Sequence, residues 1–275
     1  MPTRFIIDSA SDILPEECTQ LGITHLPMTV TFGEEAYEDS VTLTHSQFYK
    51  KLAQCPTLPT TSQISPAVFS DAMAQAVAEG NDVVVITMSS RLSGTYQSAC
   101  IAADDFPGRV FVVDSLSVSL GERILLQRGL ELASQGLSAQ AIAEALDEEK
   151  QKIRLFALLD TLEYLKKGGR ISAATAVAGS LLSIKPVIAV QDGAVAMAGK
   201  ARGTRQGCSL LLRLTEDAGI DNAKPLCFAY SGLSDEAIRA FAQNPLFVSG
   251  QIASVGATIG THVGPDVMAV AFYTK

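Results

Sequence analysis

Basic surface is scarce in this chain: 21 lysines and arginines stand against 29 acidic residues among 275, a formal net charge of −8. A duplex-binding protein needs a broad Lys/Arg face to displace counterions, so nucleic acid is not the expected partner. Cysteine offers no framework either. The five residues, Cys18, Cys55, Cys100, Cys208 and Cys227, are odd in number, widely scattered and without CxxC or Cys/His ligand spacing. They read as reduced, mostly small core residues of a cytosolic protein. A long hydrophobic run is missing too. A bilayer-spanning helix needs about 20 predominantly apolar residues, and the least polar stretch, Ser172–Val190, is broken by Ser180, Ser183, Lys185 and Pro186. The apolar run Phe5-Ile6-Ile7 is short and ends on Asp8, so no secretory signal is expected and the expected location is cytoplasmic.

The common catalytic signatures are also lacking. There is no GxSxG elbow, no GxxxxGK[ST] phosphate loop, no GxGxxG fingerprint and no His/Asp/Glu cluster with metal spacing. No cofactor or metal is therefore expected. A nucleophile–base pair of Ser93 and His262, as in a serine-dependent hydrolase or acyltransferase, stays open as an alternative. The sequence shows no third group that would orient the histidine.

What is present is a large apolar fraction, 47% against 18% charged, enough for a sizeable core in one large domain or two ordinary ones. Short apolar runs alternate with helical stretches. Arg4–Asp8 reads as a strand, Pro15–Leu21 as a helix closed by Gly22, and Thr24–Phe32 as one further strand. Thr44 and Gln47 form a capping box, Ser65-Pro66 opens a helix that stops at Gly80, and Val83–Ile86 is a β-branched buried strand. Helices are expected over Gly94–Phe106, Ser119–Gln135 and Ser138–Gln151, with a strand at Val110–Asp114. Strand–helix alternation of this kind implies parallel pairing with helices on both faces.

The second half has a different grain. Leu155–Leu159 reads as a strand, Asp160 as the cap of a short helix ended by Gly168-Gly169, and Gln191-Asp192-Gly193 as a hairpin turn between Pro186–Val190 and Ala194–Met197. A helix over Gly203–Asp217 precedes a strand at Pro225–Tyr230, a helix at Ser234–Gln243 and strands at Gln251–Val255 and Val267–Tyr273. The expected fold is therefore α/β in two domains, 1–152 with a parallel sheet and 153–275 with a mixed sheet, antiparallel pairing being confined to the second.

Three strands end in short polar residues, Asp8-Ser9, Ser89-Ser90 and Asp114-Ser115, where ligands of open α/β sheets collect. Between a strand and a helix, Ser93-Gly94-Thr95 offers two hydroxyls and unpaired backbone N–H groups, an anion site by construction. On this stretch alone, the plainer reading is that Ser93 caps the helix. A second hydroxyl-rich loop, Thr60-Thr61-Ser62-Gln63-Ile64-Ser65-Pro66, also enters a helix. His262 lies between glycines in Gly260-Thr261-His262-Val263-Gly264, read as a loop, a setting for function as much as for packing. Positive charge concentrates in Lys166, Lys167, Arg170, Lys185, Lys200, Arg202 and Arg205, with Asp192 the single acid of that stretch. Such a cluster is a solvated basic face or a local attractor for an anion.

In this order, these stretches resemble the DegV family, whose fatty-acid-binding members are known as FakB. The residues that carry the resemblance are Ile7-Asp8-Ser9, Pro59–Pro66, Ser89–Ala99, Val113-Asp114-Ser115, Leu159–Ile171, Ile184-Lys185-Pro186 and Ile259–Pro265. The resemblance implies a two-domain fold with one long-chain fatty acid enclosed between the domains. It implies that the carboxylate is held around Thr61, Ser62, Ser93, Gly94 and Thr95, near His262, and that Arg170 and Arg202 serve the phosphorylated product or face a kinase. It further implies a separate ATP-dependent fatty acid kinase that converts the bound acid to an acyl phosphate for phospholipid synthesis. Transient membrane contact is compatible with that role. The segment Gly199–Gln206 carries less positive charge than relatives often have there, and Asp266 stands where a small residue is usual.

Overall fold

The computed structural model describes residues 2–171 and 184–275. Most of the weakly polar stretch from Ser172 therefore lies outside the described residues. Among those described, no helix is long and apolar enough to cross a membrane.

The first half runs β1 (Thr3–Asp8), α1 (Pro15–Leu21), β2 (Thr24–Leu26), β3 (Thr29–Phe32), β4 (Glu35–Glu38), α2 (His45–Leu52), β5 (Thr60–Ser62) and α3 (Pro66–Ala78). It continues with β6 (Asp82–Thr87), α4 (Thr95–Ala103), β7 (Val110–Asp114), α5 (Leu120–Ser134) and α6 (Ala139–Glu149). Strands β2, β1, β6 and β7 form a parallel sheet in that order, with Phe5 opposite Val84 and Ile7 opposite Ile86. Continuous apolar runs suit strands covered on both faces, and Val83, Val84, Val85 and Ile86 are all fully buried. The Thr44–Gln47 capping box is formed as expected.

Two expectations fail here for one reason. Thr24–Phe32 is not a single strand: Pro27, which lacks an N–H and so cannot extend a ladder, separates β2 from β3. Beyond it, β3 leaves the parallel sheet and joins a three-stranded antiparallel sheet in the order β4-β3-β5, with Val30 opposite both Tyr37 and Thr61. Antiparallel pairing is thus not confined to the second half. The hydroxyl-rich stretch at Thr60 is partly an edge strand rather than a loop throughout.

The second half runs β8 (Ile153–Leu158), α7 (Glu163–Lys167), β9 (Ile184–Gln191), β10 (Ala194–Arg202), α8 (Gly203–Asp217), β11 (Leu226–Tyr230), α9 (Glu236–Ala242), β12 (Gln251–Ser254), α10 (Ala257–Val263) and β13 (Met268–Tyr273). Six strands form a mixed sheet in the order β10-β9-β8-β13-β11-β12, in which β11–β12 is parallel. The β9–β10 hairpin turns on Asp192 and Gly193, both at positive φ (49° and 79°), the pattern of a two-residue type I′ turn. Asp160 does not cap α7. It pairs with Lys185, and the Thr161 hydroxyl accepts the Glu163 N–H at 3.2 Å instead.

Period-two alternation divides this mixed sheet sharply. One face carries Phe156, Leu158, Val187, Phe228, Val270 and Phe272, packed against Leu211 of α8 and Ile238 and Phe241 of α9. The other carries Leu155, Ala157, Ile188, Val190, Ala269 and Ala271, and belongs to the same core as the parallel sheet and α5. The bulky face is filled by helices, and the face of smaller side chains looks toward the first half of the chain.

Helix α10 replaces the loop expected around His262. Its capping groups are remote in sequence. Asp12 Oδ1 accepts the Gly256 N–H at 2.8 Å, and Asp39 accepts those of Ala257 (3.0 Å) and Thr258 (2.9 Å) from positions 244, 218 and 219 residues away. Fully buried Asp39 satisfies donors that a helix leaves unpaired and places negative charge at its positive end. Asp39→Ala should lower the unfolding free energy by about 2 kcal/mol, read from urea denaturation. An unchanged transition would mean that packing alone holds α10.

Candidate functional site

Between the small-residue face of the mixed sheet and the carboxyl ends of the parallel strands lies a cavity. The space open to the centre of a water-sized sphere is about 210 Å³. One wall is aliphatic, built from Leu155, Ala157, Ile188, Val190 and Ala269 at alternate positions of β8, β9 and β13. The first half of the chain contributes Met28, Met88 and Val118 to the lining. Small side chains on one sheet face leave room; the bulky ones of the other face would not.

Polar groups converge on this apolar space. Thr61 is the inward residue of β5, flanked by exposed Thr60 and Ser62, and its hydroxyl lies 2.9 Å from His262 Nε2. Ser93 Oγ lies 2.9 Å from Thr95 Oγ1 and accepts the Thr95 N–H at 3.3 Å. The serine thus reaches the first turn of α4 but is not its N-cap residue, which is Gly94. An added Cβ on Gly94 would overlap the end of the Gln63 side chain, so glycine leaves room for that amide beside the entry to α4. Arg170 lines the cavity, its guanidinium held by Leu92 O (3.3 Å) and Gly168 O (2.6 Å).

Of the eight expected site residues, Thr61, Ser93, Gly94, Arg170 and His262 line the cavity. Ser62 is exposed on the outer side of β5 and does not line it. Thr95 is buried just behind Ser93. Arg202 is exposed at the end of β10, and its backbone N–H donates to Gln206 Oε1 at 3.1 Å. Sequence reasoning missed Thr258, whose buried hydroxyl lines the cavity and has no partner among the described residues. The i,i+4 spacing of Thr258 and His262 places both on one helix face. That signal was hidden because the segment was read as a loop.

Among the described residues His262 Nδ1 is buried without a partner, against Gly168, where an added Cβ would overlap it. Burial, reinforced by the positive charge of Arg170, lowers the His262 pKa from 6.5 to about 4. The ring is therefore neutral at physiological pH. With Nε2–H donated to Thr61 Oγ1, the threonine hydroxyl keeps its own proton free to donate into the cavity. A Thr95 hydroxyl donated to Ser93 Oγ does the same for Ser93. With both hydrogen bonds in that sense, two neutral hydroxyls can donate into an apolar space next to a guanidinium, an arrangement suited to a carboxylate.

A depressed histidine pKa costs stability in acid. The unfolded chain binds a proton below about 6.5 and the folded one only below about 4, so this group removes stability as pH falls through that window. An NMR titration of the His262 ring in ligand-free protein should give a midpoint near the lower value. A midpoint at 6.5 would remove the neutral-ring geometry. Gly168→Ala, at an ordinary φ of −74°, should displace the His262 ring with little strain in the backbone. Its measurable consequence is a shifted His262 ring resonance, and an unshifted one would mean that the ring does not lie against Gly168.

Comparison with known proteins agrees with this architecture. The family model described as "Uncharacterised protein, DegV family" matches residues 3–275, and the chain belongs to that family. A DegV domain-containing protein of Deinococcus radiodurans is 35% identical, with 98% of each chain covered. The solved structure described as fatty acid binding of a DegV family protein from Thermus thermophilus superposes with a TM-score of 0.91 at 33% identity, covering both chains fully. A stearic acid-binding protein from Eubacterium ventriosum gives 0.88 at 25% identity over 98% of each chain.

Proposed function

We propose that this protein binds one long-chain fatty acid in the cavity, between units spanning 1–152 and 153–275, with the carboxylate at Thr61 and Ser93. The observation that carries this reading is the pairing of Thr61 with His262 and of Ser93 with Thr95 on a cavity whose lining is mostly apolar. Relatives described as binding fatty acids support it. The acyl chain supplies the affinity: about 16 methylenes at roughly 0.8 kcal/mol each give on the order of 13 kcal/mol before ordering costs. The head group needs only orientation, which the hydroxyls of Thr61 and Ser93 provide.

His262 acts as a positioning residue in this reading: it sets the direction of the Thr61 proton. A hydrolase or acyltransferase would instead need His262 to accept the Ser93 proton. Its Nε2 contacts Thr61, and no carboxylate among the described residues orients its Nδ1, which favours the carrier reading. The protein then presents the acid to an ATP-dependent fatty acid kinase in the cytoplasm, with transient membrane contact on delivery of the acyl phosphate to phospholipid synthesis. Arg170 beside the cavity and Arg202 outside it are assigned to the phosphorylated product and to the kinase.

Thr61→Val and Ser93→Ala should each weaken fatty-acid binding by about 1–3 kcal/mol, measured by displacement of a fluorescent fatty acid. Arg170→Ala and Arg202→Ala should spare that affinity and slow phosphorylation by an added fatty acid kinase. Equal loss of affinity in all four variants would contradict this division of roles. Hydrolysis of a chromogenic ester that disappears in Ser93→Ala would overturn the carrier reading.

A further inference from the structure

A second cavity of about 380 Å³ adjoins the first, and Leu155 and Val190 line both. These two residues face each other across the β8–β9 ladder, whose paired residues extend from Leu158–Val187 to Leu155–Val190. Past that pair the second cavity opens, rimmed by Ile153, Arg154, Gln191 and Asp192 on the two strands and by Leu116 and Ser117 opposite. The hydrogen bonds of Thr61, Ser93 and His262 described above do not involve β8 or β9, and Leu155 and Val190 belong to the aliphatic wall that the first cavity shares with the second.

Resting on the fatty-acid reading above, we infer that Leu155 and Val190 form a partition that sets the longest acyl chain the protein accepts. An apolar chain meeting this pair passes from a mostly apolar wall to a mixed one, where Ile153 and Leu116 alternate with polar and charged groups. Every further methylene must either fold back or displace one of two packed side chains. Beyond them the space is lined partly by the polar and charged groups of Lys150, Gln151, Arg154 and Asp192. The intact wall therefore separates an apolar compartment from a wetter one. A smaller side chain at either position joins the two and admits the terminal methyl end of a longer acid.

The test is competition by palmitate and by arachidate against a fluorescent fatty acid, on wild type, Leu155→Ala, Val190→Ala and Val190→Leu. The relative affinity for arachidate over palmitate should rise about tenfold in either alanine variant, the factor that one or two additional buried methylenes give. It should fall in Val190→Leu. Should Leu155→Ala fail to fold, the two Val190 variants, which change less volume, decide the matter in opposite directions. An unchanged ratio in variants that still bind both acids would overturn the partition while leaving the fatty-acid reading intact. Failure of wild type to bind either acid would overturn that reading and the partition with it.

Discussion

Three consecutive backbone N–H groups, those of Gly256, Ala257 and Thr258, depend on two buried carboxylates supplied from the opposite end of the chain. An unsatisfied buried donor costs roughly as much as a lost hydrogen bond, so α10 is stable in this position only where Asp12 and Asp39 are brought to it. Asp12 is in turn held by the Ser119 hydroxyl, and Ser119 lines the cavity. The grip therefore ties together the start of the chain, the entry to α5 and the helix that carries Thr258 and His262. Tyr49 adds a bond from α2 to Val255 O at 3.0 Å. Displace the carboxylates and the polar end of the cavity loses its histidine.

The cavity itself follows from an asymmetry of side-chain size. Aromatic residues on one face of the mixed sheet are satisfied by α8 and α9, whereas alanines and branched aliphatics face the parallel sheet without filling the gap. Charge in this interior is costly, and the ionisable groups respond in opposite senses. Burial raises Asp8 and Asp12 to about 7, against the pull of their backbone and hydroxyl donors, while it lowers His262 to about 4. The raised acids favour the fold at lower pH and surrender stability as pH rises from about 3.8 to 7; the histidine acts the other way. Both keep the region round the polar end closer to neutral than its formal charges imply.

Much of the fold was legible because its signals are local. The β-branched run at Val83, the capping box at Thr44 and the Asp192-Gly193 turn each specify an element from a few neighbours. Thr61 and Ser93 were legible as hydroxyls in strand-to-helix connections. Helix α10 was not, since its caps lie more than two hundred residues away and its Gly-containing sequence has no strong periodicity. Thr258 was lost with it. The break at Pro27 was visible in the sequence, but the short strands of the sheet it leads to are three or four residues long and are defined by their partners, not by pattern.

The central claim is that an aliphatic cavity with two hydroxyl donors at one end holds a fatty acid. Native mass spectrometry of freshly purified protein, followed by extraction and identification of what it carries, tests this most directly. The account predicts an added mass equal to one long-chain fatty acid per chain. Protein that carries no lipid and takes up neither added oleate nor palmitate would contradict it.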